Sequence, residues 1–293
     1  MNKERVGFTF AMLDMITFGL LPVLSHFFVA TIDPLVFSGA ATFIGSIPLI
    51  FWLKRKKKIN QLFSKQYFPN LLVMSILATI GSVCYFTGTK LTSGLNTGLL
   101  TQIEPFYALL LAAFILKEAV SRNQILATLL MVGGAVAVVY KGNAVLNIGD
   151  VLILFSPLVM QISHLIAKKV YANDADSNIV PTARLLFSGF FLLLIAAIVN
   201  PVSLLQLLSV KVLLTVTVFG LIFRCFDFIL WYQAIARISV SRASTVIPLA
   251  VAISFLGSIF ILHESISWSQ FIGLFLILSG LIWLSRIYLA KNK

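Results

Sequence analysis

Long apolar runs, separated by short polar stretches, follow one another along the whole chain. A membrane-spanning helix needs about 20 predominantly apolar residues, whereas the strands of a membrane barrel would show shorter segments of alternating polarity. The pattern therefore predicts an all-α integral membrane protein with ten transmembrane helices. We expect helices 1 to 10 over residues 6–30, 34–53, 68–89, 93–116, 122–140, 148–170, 179–199, 212–235, 239–262 and 268–289.

The composition excludes other classes of protein. Hydrophobic residues make up 59% of the 293 residues and charged residues only 11%. A soluble domain has about 25% charged residues, so this chain could not cover the surface of a water-soluble globule. A soluble enzyme and a disordered protein are both excluded. The apolar run at the N-terminus is too long for a signal peptide and is interpreted as a retained first helix.

The charge distribution predicts an orientation. The chain has 22 Lys and Arg against 10 Asp and Glu. With both termini in the cytoplasm, 17 of these basic residues face the cytoplasm, 3 face the other side and two lie within helices, which agrees with the positive-inside rule. The basic segment 54–58 (KRKKK) is expected to contact anionic lipid headgroups. It carries no nucleic-acid-binding motif, so no nucleic-acid partner is expected.

The sequence contains an internal repeat. A shift of 146 residues places FILKEAVSRNQ (114–124) on FILHESISWSQ (260–270), with six of eleven positions identical, and Gly134 on Gly280. This predicts two five-helix repeats, residues 1–145 and 146–293. Because five is odd, the repeats should have opposite orientations in the membrane. Inverted repeats around a shared midplane site are typical of secondary transporters.

The repeated motif predicts local structure. Ser121 with Gln124, and Ser267 with Gln270, have the spacing of capping boxes that would begin helices 5 and 10. Glu118 and Glu264 precede these boxes. We expect the two glutamates to fix the turns rather than to take part in transport.

Prolines lie within helices 1, 4, 6 and 9, which are repeat partners. A proline in a helix frees a backbone carbonyl and kinks the helix, which is tolerable at membrane depth where protein or a watery cavity takes up the freed group. The kinks would serve helix packing or would bend these helices around a central cavity. The prolines concerned are Pro22, Pro105, Pro157 and Pro248. Pro248 aligns with Gln102, whereas the position that matches Pro105 is Val251, so the kink in helix 9 is expected to sit differently from that in helix 4.

These features resemble the EamA-type drug/metabolite transporter family. The resemblance covers essentially the whole chain: ten helices, two inverted halves, the proline of LLTQIEPFYALLLAAFILKE (99–118) and the E-x-x-S-x-x-Q turn in both halves. It implies a multi-pass carrier of the prokaryotic inner membrane that moves small metabolites, often outward. Members of the family handle amino acids, sugars, nucleobase-like compounds or drugs.

Ionisable groups within predicted helices are candidate site residues, because a charge at the bilayer centre costs about 2.5–3.5 kcal/mol. Glu104 would bind a proton or an amine, or would be a neutral acid bonded to a neighbouring helix. Asp14 would do the same or would be an interfacial carboxyl. Arg224 and Asp227 share a helical face. They would form a local ion pair, or Arg224 would bind a substrate carboxylate with Asp227 as its counter-ion.

Aromatic and amide side chains complete the candidate substrate site. Tyr85, which aligns with Trp231, and Tyr107, which follows the Glu-Pro pair, would line a pocket or belong to the core. Gln102 and Gln161 would donate hydrogen bonds to a polar ligand or join helices. We expect no metal or other cofactor, since the two cysteines fall in apolar segments without CxxC spacing.

The predicted function is that of a secondary transporter that exports a small polar metabolite by alternating access through a midplane cavity. Acids outnumber bases among the candidate residues, so an amino acid or a related compound fits, with protons as the candidate coupling ion. Two alternatives stay open: a multidrug or sugar/nucleobase carrier of the same fold, and a membrane receptor or scaffold. An enzyme is not expected, because His263-Glu264 has no second histidine four residues on.

Overall fold

A computed structural model describes residues 3–115, 117, 119–140, 147–171, 175–235, 237–238 and 246–291. These residues are helical and contain no strand. Nine of their helices are long and apolar enough to cross a membrane, and one further apolar helix is shorter. The helices are α1 Lys3–Val29, α2 Pro34–Arg55, α3 Phe68–Leu91, α4 Gly94–Phe114, α5 Arg122–Val139, α6 Ile148–Tyr171, α7 Ile179–Val199, α8 210–235, α9 Ile247–Phe260 and α10 Trp268–Lys291.

The helices lie where the apolar pattern predicts them, within a few residues at most ends. Short 3₁₀ segments, Ile59–Phe63 and Pro201–Leu208, interrupt two of the connections. The expected helix 239–262 is described only from residue 246, so its first residues lie outside the described ranges. Glu118 also lies outside them.

Two helices change their winding at membrane depth. In α4, a 3₁₀ turn at Thr101–Ile103 precedes Glu104, and Pro105 stands in the first turn of the segment that follows. Its missing N–H costs nothing at that position. In α8, the segment Leu221–Phe226 is a π-helix that ends just before Asp227. Such segments are frequent at functional sites and hinges, and both of these carry predicted site residues.

The chain divides into two compact units, and each draws helices from both sequence repeats. Unit 1 comprises residues 1–27, 88–157 and 229–293, and therefore contains α1, α4, α5, α9 and α10. Unit 2 comprises residues 28–87 and 158–228, and contains α2, α3, α7 and most of α6 and α8. In each unit a helix of the first repeat packs against its partner from the second.

In unit 1, α5 packs against α10 through contacts that the two repeats exchange. A Cβ atom built on Gly134 would lie 2.8 Å from the Gly273 carbonyl oxygen, and one built on Gly280 would lie 2.6 Å from the Ala127 carbonyl oxygen. The shift of 146 residues converts each contact into the other. Because Gly134 pairs with Gly273 and Ala127 with Gly280, the helices run antiparallel. This is the self-complementary contact that a two-fold axis produces.

In unit 2, α2 packs against α7 in the same way. A Cβ atom built on Gly189 would lie 2.5 Å from the backbone nitrogen of Phe43, the residue with which Gly189 aligns in the repeat. A Cβ on Gly39 would lie 3.0 Å from the backbone nitrogen of Leu193. The partners again run in opposite directions. A residue that touches its own repeat equivalent lies where a two-fold axis would pass.

The turns before α5 and α10 confirm the predicted capping boxes. The Ser121 N–H donates to the Gln124 side-chain oxygen at 2.9 Å, and the Gln124 N–H donates to the serine hydroxyl at 3.3 Å. Ser267 and Gln270 make the same pair of bonds at 2.9 and 3.2 Å. The two capping boxes therefore satisfy equivalent backbone donors in both repeats.

A left-handed residue precedes each capping box. Lys117 and His263 align in the repeat and have φ angles of 54° and 55°. A left-handed backbone costs a residue other than glycine about 1–2 kcal/mol, so both repeats retain the same strained turn.

Gly134→Ala should lower the free energy of unfolding by about 1–3 kcal/mol, because the added methyl group would press on the backbone of α10. Gly133→Ala is the matched control, since a Cβ at Gly133 meets nothing within 4 Å. The control should be neutral or stabilising, because alanine favours a helix over glycine by about 1 kcal/mol. Thermal unfolding in detergent measures both. Equal melting temperatures for the two variants would contradict the proposed packing.

Candidate functional site

Unit 2 contains a group of charged and aromatic side chains at membrane depth, formed by Tyr85, Phe86, Arg184, Arg224 and Asp227 and called here the arginine cluster. The Arg224 guanidinium lies over the Phe86 ring, 5.0 Å from its centroid. It is also within electrostatic range of Tyr85, Asp227 and Arg184. Its Nε atom is buried and makes no hydrogen bond to the described residues. The predicted grouping of Arg224 with Asp227 is thus present, together with a second arginine.

Close helix packing holds Arg224 in place. A Cβ atom on Gly45 of α2 would lie 2.7 Å from the Gly220 carbonyl oxygen and 2.8 Å from the Arg224 Cβ atom. The backbone of α8 therefore approaches α2 as closely as a glycine allows. Phe37 packs edge-on against Phe86, with ring centroids 5.8 Å apart. These contacts fix the Phe86 ring on which the guanidinium lies. The cation–π interaction between them contributes about 1–2 kcal/mol of stability where water is excluded.

Arg184 of α7 is a further candidate, which was not among the site residues predicted from the sequence. Its Nη1 lies 2.6 Å from the Nε2 atom of His164. Because arginine only donates hydrogen bonds, this histidine nitrogen accepts. Arg184 Nη2 also donates to the Met160 sulfur at 2.9 Å. An arginine inside a predicted membrane helix was the available signal, since such residues mark substrate or ion pathways.

The other candidate residues lie elsewhere. Gln161 is half-buried in α6, in unit 2. In unit 1, Asp14 of α1 is buried, and Glu104 and Tyr107 are partly buried in α4. The side chain of Gln102 donates to the Gly98 carbonyl of its own helix at 3.4 Å.

Trp231 lies in unit 1, in the last part of α8. It packs against an apolar group formed by Ala11, Ala234 and Ile238. This contact corresponds to the core role, which was one of the two alternatives for Trp231.

Glu264 caps a helix far from it in sequence. Its two carboxylate oxygens accept the backbone N–H groups of Gly94 at 2.7 Å and Leu95 at 2.8 Å, in the first turn of α4. His26 Nε2 lies 3.8 Å from the same carboxylate, and His26 Nδ1 lies 2.8 Å from the Thr89 carbonyl oxygen. The carboxylate satisfies two donors that the helix itself cannot and complements the helix dipole. Glu264 therefore has a structural role. The motif predicts that it fixes its own turn, and the structure shows that it also caps the start of α4.

A second polar network in unit 1 surrounds Asp150, which is fully buried. Asp150 Oδ1 accepts hydrogen bonds from the Thr92 hydroxyl and from Asn96 Nδ2. Asn96 Oδ1 in turn accepts from Gln270 Nε2 at 2.7 Å. The network joins the start of α4 to α6 and α10. Neither Asp150 nor Asn96 was predicted as a site residue from the sequence. Both lie near the predicted start of a helix, where polar residues are common.

The basic segment 54–58 is tied to the loop after α6. Lys56 and Lys58 lie 3.6 and 3.2 Å from the Asp176 carboxylate. Burial by itself raises the pKa of this carboxyl. The Asn178 backbone N–H and the two ammonium groups outweigh that effect, so the pKa of Asp176 lies below its ordinary value. The carboxylate stays charged and holds the two lysines.

Comparison with known sequences gives the family. The sequence model of the EamA-like transporter family matches residues 5–140 and again residues 147–286, once for each repeat. The chain belongs to the EamA-like transporter family. It is therefore a multi-pass membrane transporter, and the resemblance drawn from its motifs is confirmed.

Relatives from bacteria and archaea support this membership. The chain is 25% identical to the uncharacterized transporter YoaV of Bacillus subtilis, over 89% of this chain and 90% of the relative. It is 24% identical to an uncharacterized transporter of Methanothermobacter thermautotrophicus, over 94% and 82%. The pseudopaline exporter CntI of Pseudomonas aeruginosa is 30% identical, but over only 43% of this chain and 48% of that protein. These relatives are named as transporters rather than enzymes.

A solved structure shares the fold. One crystal structure aligns with 98% of this chain and 99% of its own with a TM-score of 0.68, at 16% sequence identity. At that identity the likeness shows the helical architecture alone, so the site of this transporter is argued from its own residues.

Glu264→Ala should lower the free energy of unfolding by about 1–2 kcal/mol, because two N–H groups at the start of α4 lose their acceptor. Glu264→Gln is the matched control, since it keeps one acceptor oxygen and should cost about half as much. Thermal unfolding of the purified variants measures the difference. A Glu264→Ala protein as stable as the parent would contradict the capping role.

Proposed function

We propose that this EamA transporter exports a small polar metabolite that carries a carboxylate, most simply an amino acid or a related compound. Export would proceed by alternating access through a midplane cavity. The protein would lie in the prokaryotic inner membrane with both termini in the cytoplasm.

Arg224 is the observation that carries the substrate assignment. Its charge lies in a membrane helix about three turns before the helix ends at residue 235. A charge at this depth is costly, so it is retained where it has a function or a partner. Asp227 is one counter-ion, but the buried Nε atom still lacks an acceptor among the described residues. A substrate carboxylate would accept from the guanidinium, and the planar fork is shaped for that group.

The exchanged helix contacts support the proposed architecture of ten spans in two inverted repeats. In α5–α10 and in α2–α7, equivalent helices run antiparallel and exchange equivalent contacts. An operation that does this within a membrane is a two-fold rotation about an axis in the membrane plane, which inverts one repeat relative to the other. Repeats related in this way can exchange conformations, and such an exchange would open the site to the opposite side of the membrane, which is the basis of alternating access.

The acids of unit 1 are the candidates for proton coupling. Asp14 is buried in α1, and Glu104 follows the 3₁₀ turn of α4. Either carboxyl could carry the proton that couples transport. The outward direction is supported by the relative that is named an exporter.

Arg224→Gln should raise the KM for a carboxylate-bearing substrate about tenfold to a hundredfold, because a charge-assisted hydrogen bond contributes about 1.5–3 kcal/mol. Uptake of radiolabelled amino acids, a sugar and a lipophilic cation into proteoliposomes measures this. Arg122→Gln is the control, since Arg122 is exposed at the start of α5. Transport of the sugar or the cation but of no amino acid would contradict the proposal. An unchanged KM in the Arg224→Gln protein would also contradict it.

Labelling tests the inverted arrangement. Lys57 follows α2 and Ser209 follows α7, the repeat partner of α2, and both are exposed. With Cys84 and Cys225 replaced by alanine, Ser209→Cys should react with a membrane-impermeant maleimide in intact spheroplasts. Lys57→Cys should react only after the membrane is permeabilised. Reaction of both cysteines from the same side would show that the repeats are not inverted.

A further inference from the structure

Basic residues gather at one end of unit 2. The end of α2, the start of α3 and the end of α6 pack there around a shared apolar core that includes Leu53, Leu71 and Val170. The basic residues lie on the segments that adjoin this core, and all of them are exposed. We call this set the basic end, and it comprises Lys54, Arg55, Lys56, Lys57, Lys58, Lys65, Lys168 and Lys169.

The last turn of α2 places a lysine where a glycine is usual. The Lys58 N–H donates to the Leu53 carbonyl oxygen at 2.9 Å, and the Lys57 N–H donates to the Lys54 carbonyl oxygen at 3.0 Å. These two bonds form a Schellman motif, in which the left-handed residue is most often glycine. Here it is Lys57, with a φ angle of 57°. A side chain makes this conformation costly, so the retained lysine indicates a role for its charge.

The fold itself neutralises only part of this charge. The Asp176 carboxylate holds Lys56 and Lys58 at 3.6 and 3.2 Å, yet the two lysine side chains remain 44 and 45% exposed. Asp174 is the other acid in the sequence between α6 and α7. The C-terminal ends of α2 and α6 each add the equivalent of about half a negative charge. Eight basic residues exceed these charges, so a large positive excess remains at the basic end.

Exposed aromatic side chains border the basic end. Phe51 and Trp52 lie in the last turns of α2, and Phe63 lies in the 3₁₀ segment that follows. All three are exposed, and the Lys56 ammonium lies 5.4 Å from the centroid of the Trp52 ring. Tryptophan is enriched where the bilayer interior meets the headgroups. A cation beside such a ring is therefore placed at the level of the lipid phosphates.

We infer that the basic end is a docking surface for anionic phospholipids. The lipid phosphates neutralise its positive excess, and the acyl chains lie against Phe51, Trp52 and Phe63. A cluster of about four to eight basic residues directly beyond a membrane helix is typical of such a surface. A soluble polyanion would bind the same cations but would have no contact for the aromatic side chains. The inference concerns the surrounding lipid and is independent of the transported substrate.

The experiment measures thermal unfolding of the purified transporter in a neutral detergent with added lipid. Phosphatidylglycerol should raise the melting temperature at least about 3 °C more than phosphatidylcholine with the same acyl chains, because a ligand that binds the folded state stabilises it. Salt at about 0.5 M should remove most of this difference by screening the charges. Inorganic phosphate and poly-L-glutamate at matched charge should not reproduce the effect of phosphatidylglycerol.

Variants assign the lipid effect to the basic end. Lys57→Gly relieves the left-handed strain, so this protein should be at least as stable as the parent without lipid, while its response to phosphatidylglycerol should shrink. Adding Lys54→Gln and Arg55→Gln should remove about half of the response or more. If that triple variant does not fold, Lys57→Gly alone decides the question.

Lys211→Gln is the matched control, because Lys211 is exposed at the start of α8. Gln206, in the segment before α8, accepts the Asp33 N–H at the start of α2, which places Lys211 at the other end of unit 2 from the basic end. The response of Lys211→Gln to phosphatidylglycerol should equal that of the parent.

Four results would overturn the inference. The first is an equal rise in melting temperature with both lipids. The second is an undiminished response to phosphatidylglycerol in the Lys57→Gly and triple variants. The third is an equal rise with poly-L-glutamate, which would indicate a soluble acidic partner instead. The fourth is a Lys57→Gly protein that is less stable than the parent without lipid, because Lys57 would then have a structural role.

Discussion

Close packing of α2 and α5 against their repeat partners, α7 and α10, is the constraint on which the rest of the structure depends. Within lipid, burial of apolar side chains supplies no driving force between helices, so association depends on van der Waals contact and hydrogen bonds. Gly134 and Gly280 in α5–α10, and Gly189 in α2–α7, allow backbone to touch backbone. Because equivalent glycines make exchanged contacts, a substitution in a helix of one repeat also alters the surface against which its partner helix packs. The two repeats are thus held to one geometry.

The buried and partly buried polar groups fall into two kinds. Around the start of α4, Glu264 and Asp150 accept hydrogen bonds that tie helix ends together. These carboxylates satisfy donors that would otherwise be unpaired away from water. The arginine cluster differs, because its cations contact an aromatic ring, a histidine and a sulfur as well as lying near Asp227. The carboxylates around α4 are committed to the fold.

Changes of helix winding place the candidate site within otherwise regular spans. The 3₁₀ turn of α4 ends at Glu104, and the π segment of α8 contains Arg224 and ends at Asp227. Each change rotates the side chains that follow relative to those before it. Pro105 marks the first change in the sequence, but no proline or glycine inside LIFRCF marks the second. The π segment instead coincides with close packing of α8 against α2, at Gly45 and Gly220.

The sequence alone was enough for the membrane class, the repeat, the capping boxes and the positions of the helices. Hydrophobicity and capping act within a few residues, and the repeat is written directly in the residue order. Arg224 and Asp227 were also predictable, since they share one helical face. The contacts of Arg224 with Phe86, and of Glu264 with Gly94 and Leu95, were decided only by the tertiary structure. These partners are 138 to 170 positions apart, and the rotation of each helix about its axis determines which of them meet.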